Sequence, residues 1–534
     1  MPDYPPQAPA ESPPPSDPSP RPAAHTRAAT GIAGLDYILH GGFPRDRVYL
    51  IDGEPGTGKT TLALQFLLRG RAEGERGLYV TLSETADELR AVAASHGWTL
   101  DGVEIFELAG SEDEALNEAY TLFHPAEVEL QQTVGAVFEA VERNRATRVA
   151  FDSLSEMRML AHDPLRFRRQ ILALKQFFAG RDCTVLVLDD RTGPESDLQL
   201  QSIAHGVIML EHSTHAFGGE RRRIAVKKLR GAQYRGGFHD FRICPGGLEV
   251  FPRLPHAGSR AAQRAMPAMD SIVSSGSDAV DALLGGGISR GTSTLITGAA
   301  GTGKSVLALQ FAHAAVSRGE QVCFFLFDER VTTAAVRAKG LGVDLEGDVA
   351  TGLLTLRQVE PTEMSPGEFA SQVSAAVEGG ASLIVLDSLN GFLQSMPDER
   401  FLAVQVHEML SYLTGRGVTV LMTLVQRGIF GAPVDVTADV SYLADSVILL
   451  RYFEHAGAVR QAISVVKKRS GAHERTIREC RVGKGGLQLG LPLHEFQGVL
   501  TGVPVFRGEA LPVLNGAMLR EETHGEDEAI HADQ

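Results

Sequence analysis

Two stretches of this chain have the residue types and spacing to hold a phosphate chain. Gly53–Thr60 reads GEPGTGKT and Gly298–Ser305 reads GAAGTGKS. Each fits G-x-x-x-x-G-K-[ST]. Gly53, Gly56, Thr57 and Gly58, and then Gly298, Gly301, Thr302 and Gly303, form the two loops. Glycines let backbone N–H groups approach a phosphate, and a helix N-terminus favours negative charge. Lys59 and Lys304 are placed to reach the terminal phosphates, and Thr60 and Ser305 to put a hydroxyl on Mg²⁺. The chemistry expected is ATP binding and phosphoryl transfer.

The flanking sequence supplies the elements that such loops need. Apolar RVYLID, Arg47–Asp52, and STLIT, Ser293–Thr297, read as strands leading into the loops. TTLALQFLLRG from Thr60 and SVLALQFAHAA from Ser305 read as helices leading out. The surroundings repeat as well. Thr30–Phe66 aligns with Ser275–Phe311 without a gap, at an offset of 245 residues. So long a period indicates a duplicated domain rather than a solenoid repeat.

Further strands follow in each copy. Gly77–Leu82 ends at Ser83–Glu84, and Gln321–Phe327 ends at Asp328–Glu329. Thr147–Asp152 and Ser382–Asp387 each end in Asp-Ser-Leu. Helical periods near Asp163–Gly180 and Pro397–Arg416 precede strands from Thr184 and Thr419. Apolar strands alternating with helices predict an α/β fold: two tandem domains, each a mainly parallel sheet flanked by helices. Shorter β-like runs late in each copy predict an antiparallel extension.

Ligands gather at the carboxyl ends of strands in such sheets. Asp152 and Asp387 therefore join Thr60 and Ser305 as expected metal-side residues. Glu84 and Glu329, with Asp328 beside the latter, are the candidate catalytic acids. An unneutralised carboxylate there would orient and deprotonate an attacking water. By this reading Glu329 has the stronger claim, and the first site, with Ser83 beside Glu84, is expected to hydrolyse slowly or mainly to hold nucleotide.

Composition narrows the function classes. The 534 residues carry 43 % hydrophobic and 22 % charged residues and a formal charge of −15. That charge counts against nucleic acid as the general partner, although Arg221–Arg223 with Lys227, Lys228 and Arg230 form one local basic concentration. Four scattered cysteines form no C-x-x-C pair, and the sequence shows neither a signal peptide nor an apolar run of spanning length, so a cytoplasmic, non-membrane protein is expected. Ten of the 26 prolines fall within the first 25 residues. The expected organisation is a Pro-rich disordered tail at 1–26, a first domain at 27–253, a linker at 254–270, a second domain at 271–507 and an acidic tail at 508–534.

The tandem loops, the Asp-Ser after each apolar strand and the acidic residues resemble the KaiC family of two-domain RecA-like ATPases. Lys227–Pro252, KKLRGAQYRGGFHDFRICPGGLEVFP, looks like the end of that family's first domain, and Lys467–Cys480, KKRSGAHERTIREC, like the matching part of its second. The resemblance spans roughly residues 27–507. It implies a homohexamer with ATP and Mg²⁺ between neighbouring subunits. It also implies that Lys228 and Arg230, then Lys467 and Arg469, reach the ATP of the adjacent protomer, with His473 beside the second pair. The first domain has Tyr234 at the histidine position. Clock members autophosphorylate a Ser-Thr pair in the second domain; the matching place here is Ser441–Tyr442, so Ser441 is the candidate acceptor and the pair is not preserved. The resemblance points to an ATP-hydrolysing signalling protein with serine/threonine autokinase activity and protein signalling partners. A RecA/RadA-type DNA-dependent ATPase and a nucleotide-cemented scaffold with little turnover are the alternatives.

Overall fold

A computed structural model describes residues 27–107, 125–161, 163–191, 198–214, 219–255, 271–360, 362–394, 402–426, 441–499 and 505–506. The expected tails and most of the linker, 256–270, lie outside the described residues. The chain divides into two compact units, one formed by residues up to Thr214 with Glu220–Arg253 and the other mainly by residues from Leu254 onward.

The first unit is built on nine strands: β1 Val48–Gly53, β2 Gly77–Thr81, β3 Val103–Glu107, β4 Arg148–Asp152, β5 Thr184–Asp190, β6 Gly206–Ser213, β7 Arg221–Leu229, β8 Phe238–Cys244 and β9 Gly247–Phe251. They lie in the order β9-β8-β7-β6-β1-β5-β4-β2-β3. The second unit has β10 Ser293–Gly298, β11 Val322–Leu326, β12 Leu354–Gln358, β13 Leu383–Asp387, β14 Thr419–Val425, β15 Ser446–His455, β16 Ala458–Lys468, β17 Arg478–Gly483 and β18 Gly486–Pro492. Their order, β12-β11-β13-β14-β10-β15-β16-β17-β18, is the same topology. In each sheet the first six strands in sequence are parallel, and the last three pair antiparallel. The fold is thus two tandem α/β RecA-like domains, each with an antiparallel extension.

The central parallel strands are mostly apolar because both faces are covered, whereas the edge strands β3, VEIFE, and β12, LTLRQ, carry exposed polar residues. Alternate side chains serve opposite layers. Tyr49, Ile51, Tyr79, Leu186 and Leu188 pack with Leu62, Phe66 and Leu67 of the helix that follows the loop. Val48, Leu50, Leu78, Val80, Val185 and Val187 pack on the other face with Phe167, Ile171 and Leu174. Each fully buried large side chain contributes roughly 1.5–3 kcal/mol. The second unit repeats both layers. The helix Lys59–Ala72 stops at Glu73, where Gly74 takes φ +81 and ends the helical run.

One strut is particular to the first unit. Arg148 opens β4 and is fully buried. Its guanidinium donates to Glu75 at 2.9 and 3.0 Å, to Glu73 at 2.8 Å, and to the carbonyls of Phe66 at 2.9 Å and Ala29 at 2.6 Å. Gly70 makes room for it, since a Cβ there would stand 2.4 Å from the Arg148 side chain. Arg45 also pairs with Glu75, and the second unit repeats that pair as Arg290–Glu320. Burial alone would raise the Glu75 and Glu320 carboxyls, but their arginine partners hold both down to about 2. Depressed folded values add stability above the ordinary carboxyl range, and that stability is lost as pH falls from about 4.5 towards about 2.

Trp98, the single tryptophan, packs against the first unit's core and reports on that unit. Arg148→Ala strands partly buried carboxylates, so its denaturation followed by Trp98 fluorescence should show a loss of about 3–5 kcal/mol. Arg242→Ala, which breaks a half-exposed pair with Glu249, should cost under about 1 kcal/mol.

Candidate functional site

Both loops sit where the central strand of a sheet turns into the helix it feeds. Gly58 and Gly303 occupy the N-cap positions with φ +97 and +96, and neither helix start has a side-chain cap. The first-turn N–H groups are thereby left to a ligand. A Cβ on Gly58 would stand 2.8 Å from Ile243, so glycine is required there for space as well as for conformation. Thr57 Oγ1 donates to the Glu54 carbonyl at 2.7 Å and Thr302 Oγ1 to Ala299 at 2.8 Å, which fixes the loop shape. Lys59 and Lys304 are buried beneath the loops. Lys59 Nζ donates to the carbonyls of Gly53 at 2.8 Å and Glu54 at 2.9 Å. Lys304 Nζ donates to Ala299 at 2.7 Å.

The expected metal-side groups meet in both units. Thr60 Oγ1 stands 3.3 Å from Asp152 Oδ2, and Ser305 Oγ stands 3.0 Å from Asp387 Oδ1. Hydroxyl and carboxylate oxygens are the hard donors that Mg²⁺ takes, and the adjacent cradle of N–H groups and lysine suits the phosphates. These donors fit Mg²⁺·ATP. The sheet brings the acids to the same edge, because Leu82 N–H donates to the Asp152 carbonyl at 2.8 Å and Phe327 N–H to Asp387 at 2.9 Å.

The two acids at these turns differ. Thr81 closes the first turn, donating to the Glu84 carbonyl at 2.8 Å and accepting from its N–H at 2.9 Å. Thr85 and Glu88 then form a reciprocal cap on helix Ala86–Ser95. Glu84 Oε2 is buried without a hydrogen-bond partner. Burial raises its carboxyl, and Asp152, Glu88 and Asp190 push it in the same direction. Glu329 instead meets Arg337, eight residues further on in helix Val331–Gly340, at 2.8 Å. Burial raises the Glu329 carboxyl while Arg337 opposes that shift. Of the two acids, Glu329 is ion-paired and Glu84 Oε2 has no hydrogen-bond partner. Asp328 is exposed and accepts a hydrogen bond from Ser388.

Lys228 and Arg230 lie on the opposite edge of the sheet from the loop. Leu229, between them, pairs with Gly206, which pairs with Tyr49, four residues before Gly53. That is about 13 Å along a strand. Lys228 donates to the carbonyls of Gln201 at 2.5 Å and Ser202 at 3.2 Å, and Arg230 to Ser202 at 2.8 Å. The second unit repeats this arrangement. Lys467 donates to Ala444 at 2.7 Å, and Arg469 to Tyr442 at 3.1 Å and Asp445 at 3.3 Å. His473 is half-buried in the following segment, and Tyr234 packs against the first unit's core. Ser441 begins the short 3₁₀ turn Ser441–Leu443 that Arg469 holds; its side chain lies outside the described residues. In the basic patch, Arg222 pairs with Glu220 at 2.7 Å and Arg223 with Asp240 at 3.6 Å.

Sequence reasoning passed over three groups. Asp190 ends β5 and meets Lys59 at 2.6 Å, whereas the residue in register in the second unit is Val425. Tyr79 Oη donates to Asp152 Oδ2 at 2.5 Å. Thr423 Oγ1 donates to Asp387. Each is an apolar-strand residue whose role appears only once the strand order is known.

Against this geometry, the KaiC ATPase family matches the chain twice, over residues 28–255 and 273–492. The circadian clock oscillator protein KaiC of Acaryochloris marina is 27 % identical over 490 residues, covering 90 % of this chain and 91 % of the relative. The circadian clock protein KaiC3 of Synechocystis sp. is 26 % identical over 499 residues, covering 90 % and 95 %. The KaiC of Synechococcus elongatus is 28 % identical over 493 residues, covering 90 % and 92 %.

Burial brings the Lys304 amine down to about 8, with Asp387 opposing the shift. A bound phosphate chain restores the charge, so binding there takes up a proton where the free amine is partly neutral. Calorimetry above about pH 8, in buffers of differing ionisation enthalpy, should show net proton uptake that Lys304→Ala abolishes.

Proposed function

The chain belongs to the KaiC ATPase family, and from that premise we propose that it is an ATP-hydrolysing switch whose two domains, 27–253 and 271–507, each bind Mg²⁺·ATP and assemble as a ring, most simply a homohexamer. The observation that carries the reading is the pairing, in both units, of an uncapped Gly-Lys loop with a strand-end Asp beside the first helical hydroxyl. Loop N–H groups with Lys59 or Lys304 hold the phosphates. Thr60 with Asp152, and Ser305 with Asp387, hold Mg²⁺, which neutralises charge on the phosphate oxygens when bound.

In hydrolysis a water oxygen attacks the γ-phosphorus, the bond to the ADP oxygen breaks, and the water's proton passes to a carboxylate. At the first site Glu84 is that base. It carries no ion pair, and the burial of its carboxyl favours proton acceptance. At the second site Arg337 must release Glu329 before it can act. This reverses the sequence-based ranking of the two acids: the first site turns over and the second is held in check.

The edge position of Lys228, Arg230, Lys467 and Arg469 supports a role in trans. Each pair lies across the sheet from its own loop, so it serves a neighbour's phosphates and couples turnover to assembly. The Ser441 turn lies on that same edge through the Arg469–Tyr442 contact, which supports Ser441 as a phosphoacceptor for a neighbour's ATP. The acidic partners of Arg222 and Arg223 weigh against a DNA motor. A signalling role inside the cytoplasm through protein partners is the use we assign to the switch.

Incubation with γ-labelled ATP, followed by phosphate-release and phosphopeptide analysis, tests these roles together. Glu84→Gln should lower turnover about 10²-fold or more, the range for loss of a general base, with Glu329→Gln having the smaller effect. Label should appear on the peptide holding Ser441 and vanish in Ser441→Ala. Turnover indifferent to Lys59→Ala with Lys304→Ala would overturn the reading.

A further inference from the structure

The two metal-side carboxylates are held from opposite flanks. Asp152 ends β4, whose neighbours are β2 and β5. From β2, Tyr79 is fully buried on the face that carries the loop helix, and its hydroxyl reaches Asp152 Oδ2 at 2.5 Å. From β5, the residue on that face is Leu188, in register with Ile51. In the second unit both positions are exchanged. Phe324 stands at the Tyr79 position, in register with Val385 as Tyr79 is with Ala150. Thr423 stands at the Leu188 position, in register with Ile296, and its hydroxyl donates to Asp387. Each carboxylate thus receives a hydroxyl from one flanking strand, while the corresponding residue of the other flanking strand, Leu188 or Phe324, has none to give.

A phenol in an apolar layer is costly unless its hydroxyl is bonded, so this pairing fixes both partners. Asp152 Oδ2 is engaged by Tyr79 and faces Thr60. A carboxylate gripped this way has lost the freedom to rotate about its side-chain bonds. Supporting hydrogen bonds of this kind orient ligands and tune their affinity for the metal.

We propose that Tyr79 is the positioning residue of the first site, holding Asp152 in the orientation that receives Mg²⁺, and that Thr423 does the same for Asp387 at the second. The inference rests on the reading of Asp152 as a metal-side residue. It makes the metal requirement of the two sites separately adjustable, because a single methyl- or phenyl-sized replacement acts on one site only.

The test uses the full chain in a Lys304→Ala background, so that nucleotide binding reports the first site. Affinity for a fluorescent ATP analogue is measured against Mg²⁺ concentration and again in excess chelator. Tyr79→Phe keeps the ring and removes only the hydroxyl. It should raise the Mg²⁺ concentration needed for half-maximal binding about 10-fold, the lower end for loss of a ligand-orienting partner, while leaving metal-free binding unchanged. Thr423→Val, in a Lys59→Ala background, should do likewise at the second site. An unchanged Mg²⁺ requirement in Tyr79→Phe, or an equal loss with and without metal, contradicts the positioning role. A Lys304→Ala parent that binds equally with and without Mg²⁺ contradicts the metal-side reading of Asp152 itself, and the inference with it.

Discussion

The constraint on which this structure depends is the placing of a buried carboxylate against a helix's first hydroxyl at a dry strand end. Asp152 and Asp387 are both buried, each at the tip of a strand covered on both faces. An isolated buried charge is costly, so every neighbour has to contribute. Thr60 or Ser305 faces it from the loop helix, and Tyr79 or Thr423 donates from an adjacent strand. That meeting requires the loop strand to lie next but one to the Asp strand, which is the order both sheets adopt. The two apolar layers exist to hold that order.

Duplication preserved the cradle and let its supports diverge. Both units keep the glycine caps, the buried lysine and the Arg45–Glu75 type of ion pair. Among the described residues, only the first unit has the Arg148 strut, Asp190 beside the lysine, and a glutamate oxygen at the turn without a hydrogen-bond partner. The second has Arg337 on its glutamate and a threonine on its Asp. The loop glycines and the lysine, the groups placed to meet phosphate, are the same in both units. Groups one shell out can be exchanged between strands provided that each buried oxygen still finds a donor.

Much of this was legible in the amino-acid order. The loops, the strand-end aspartates and the repeat are local patterns with an obligatory spacing, and the alternating strands and helices identified the sheet. The pairings that set the local electrostatics were not legible. Glu329 and Arg337 are eight residues apart, but whether a helix turns Arg337 towards the glutamate is a matter of three dimensions. Tyr79 looks like any core aromatic until β2 is known to lie beside β4. In the sequence the basic late strand is a local concentration of charge and part of the family resemblance. Its register, with Leu229 level with Tyr49 through Gly206, puts Lys228 and Arg230 across the sheet from the loop.

Protomer mixing tests most directly the proposal that each phosphate site is completed by a neighbouring subunit. One variant carries Lys59→Ala and Lys304→Ala, and so lacks both phosphate lysines. The other carries alanine at Lys228, Arg230, Lys467 and Arg469. Each should be nearly inactive alone. Mixed under conditions that allow subunits to exchange, they should regain ATP turnover, because one supplies the cations and the other the loops. No recovery in mixed assemblies shown to contain both variants would contradict the account.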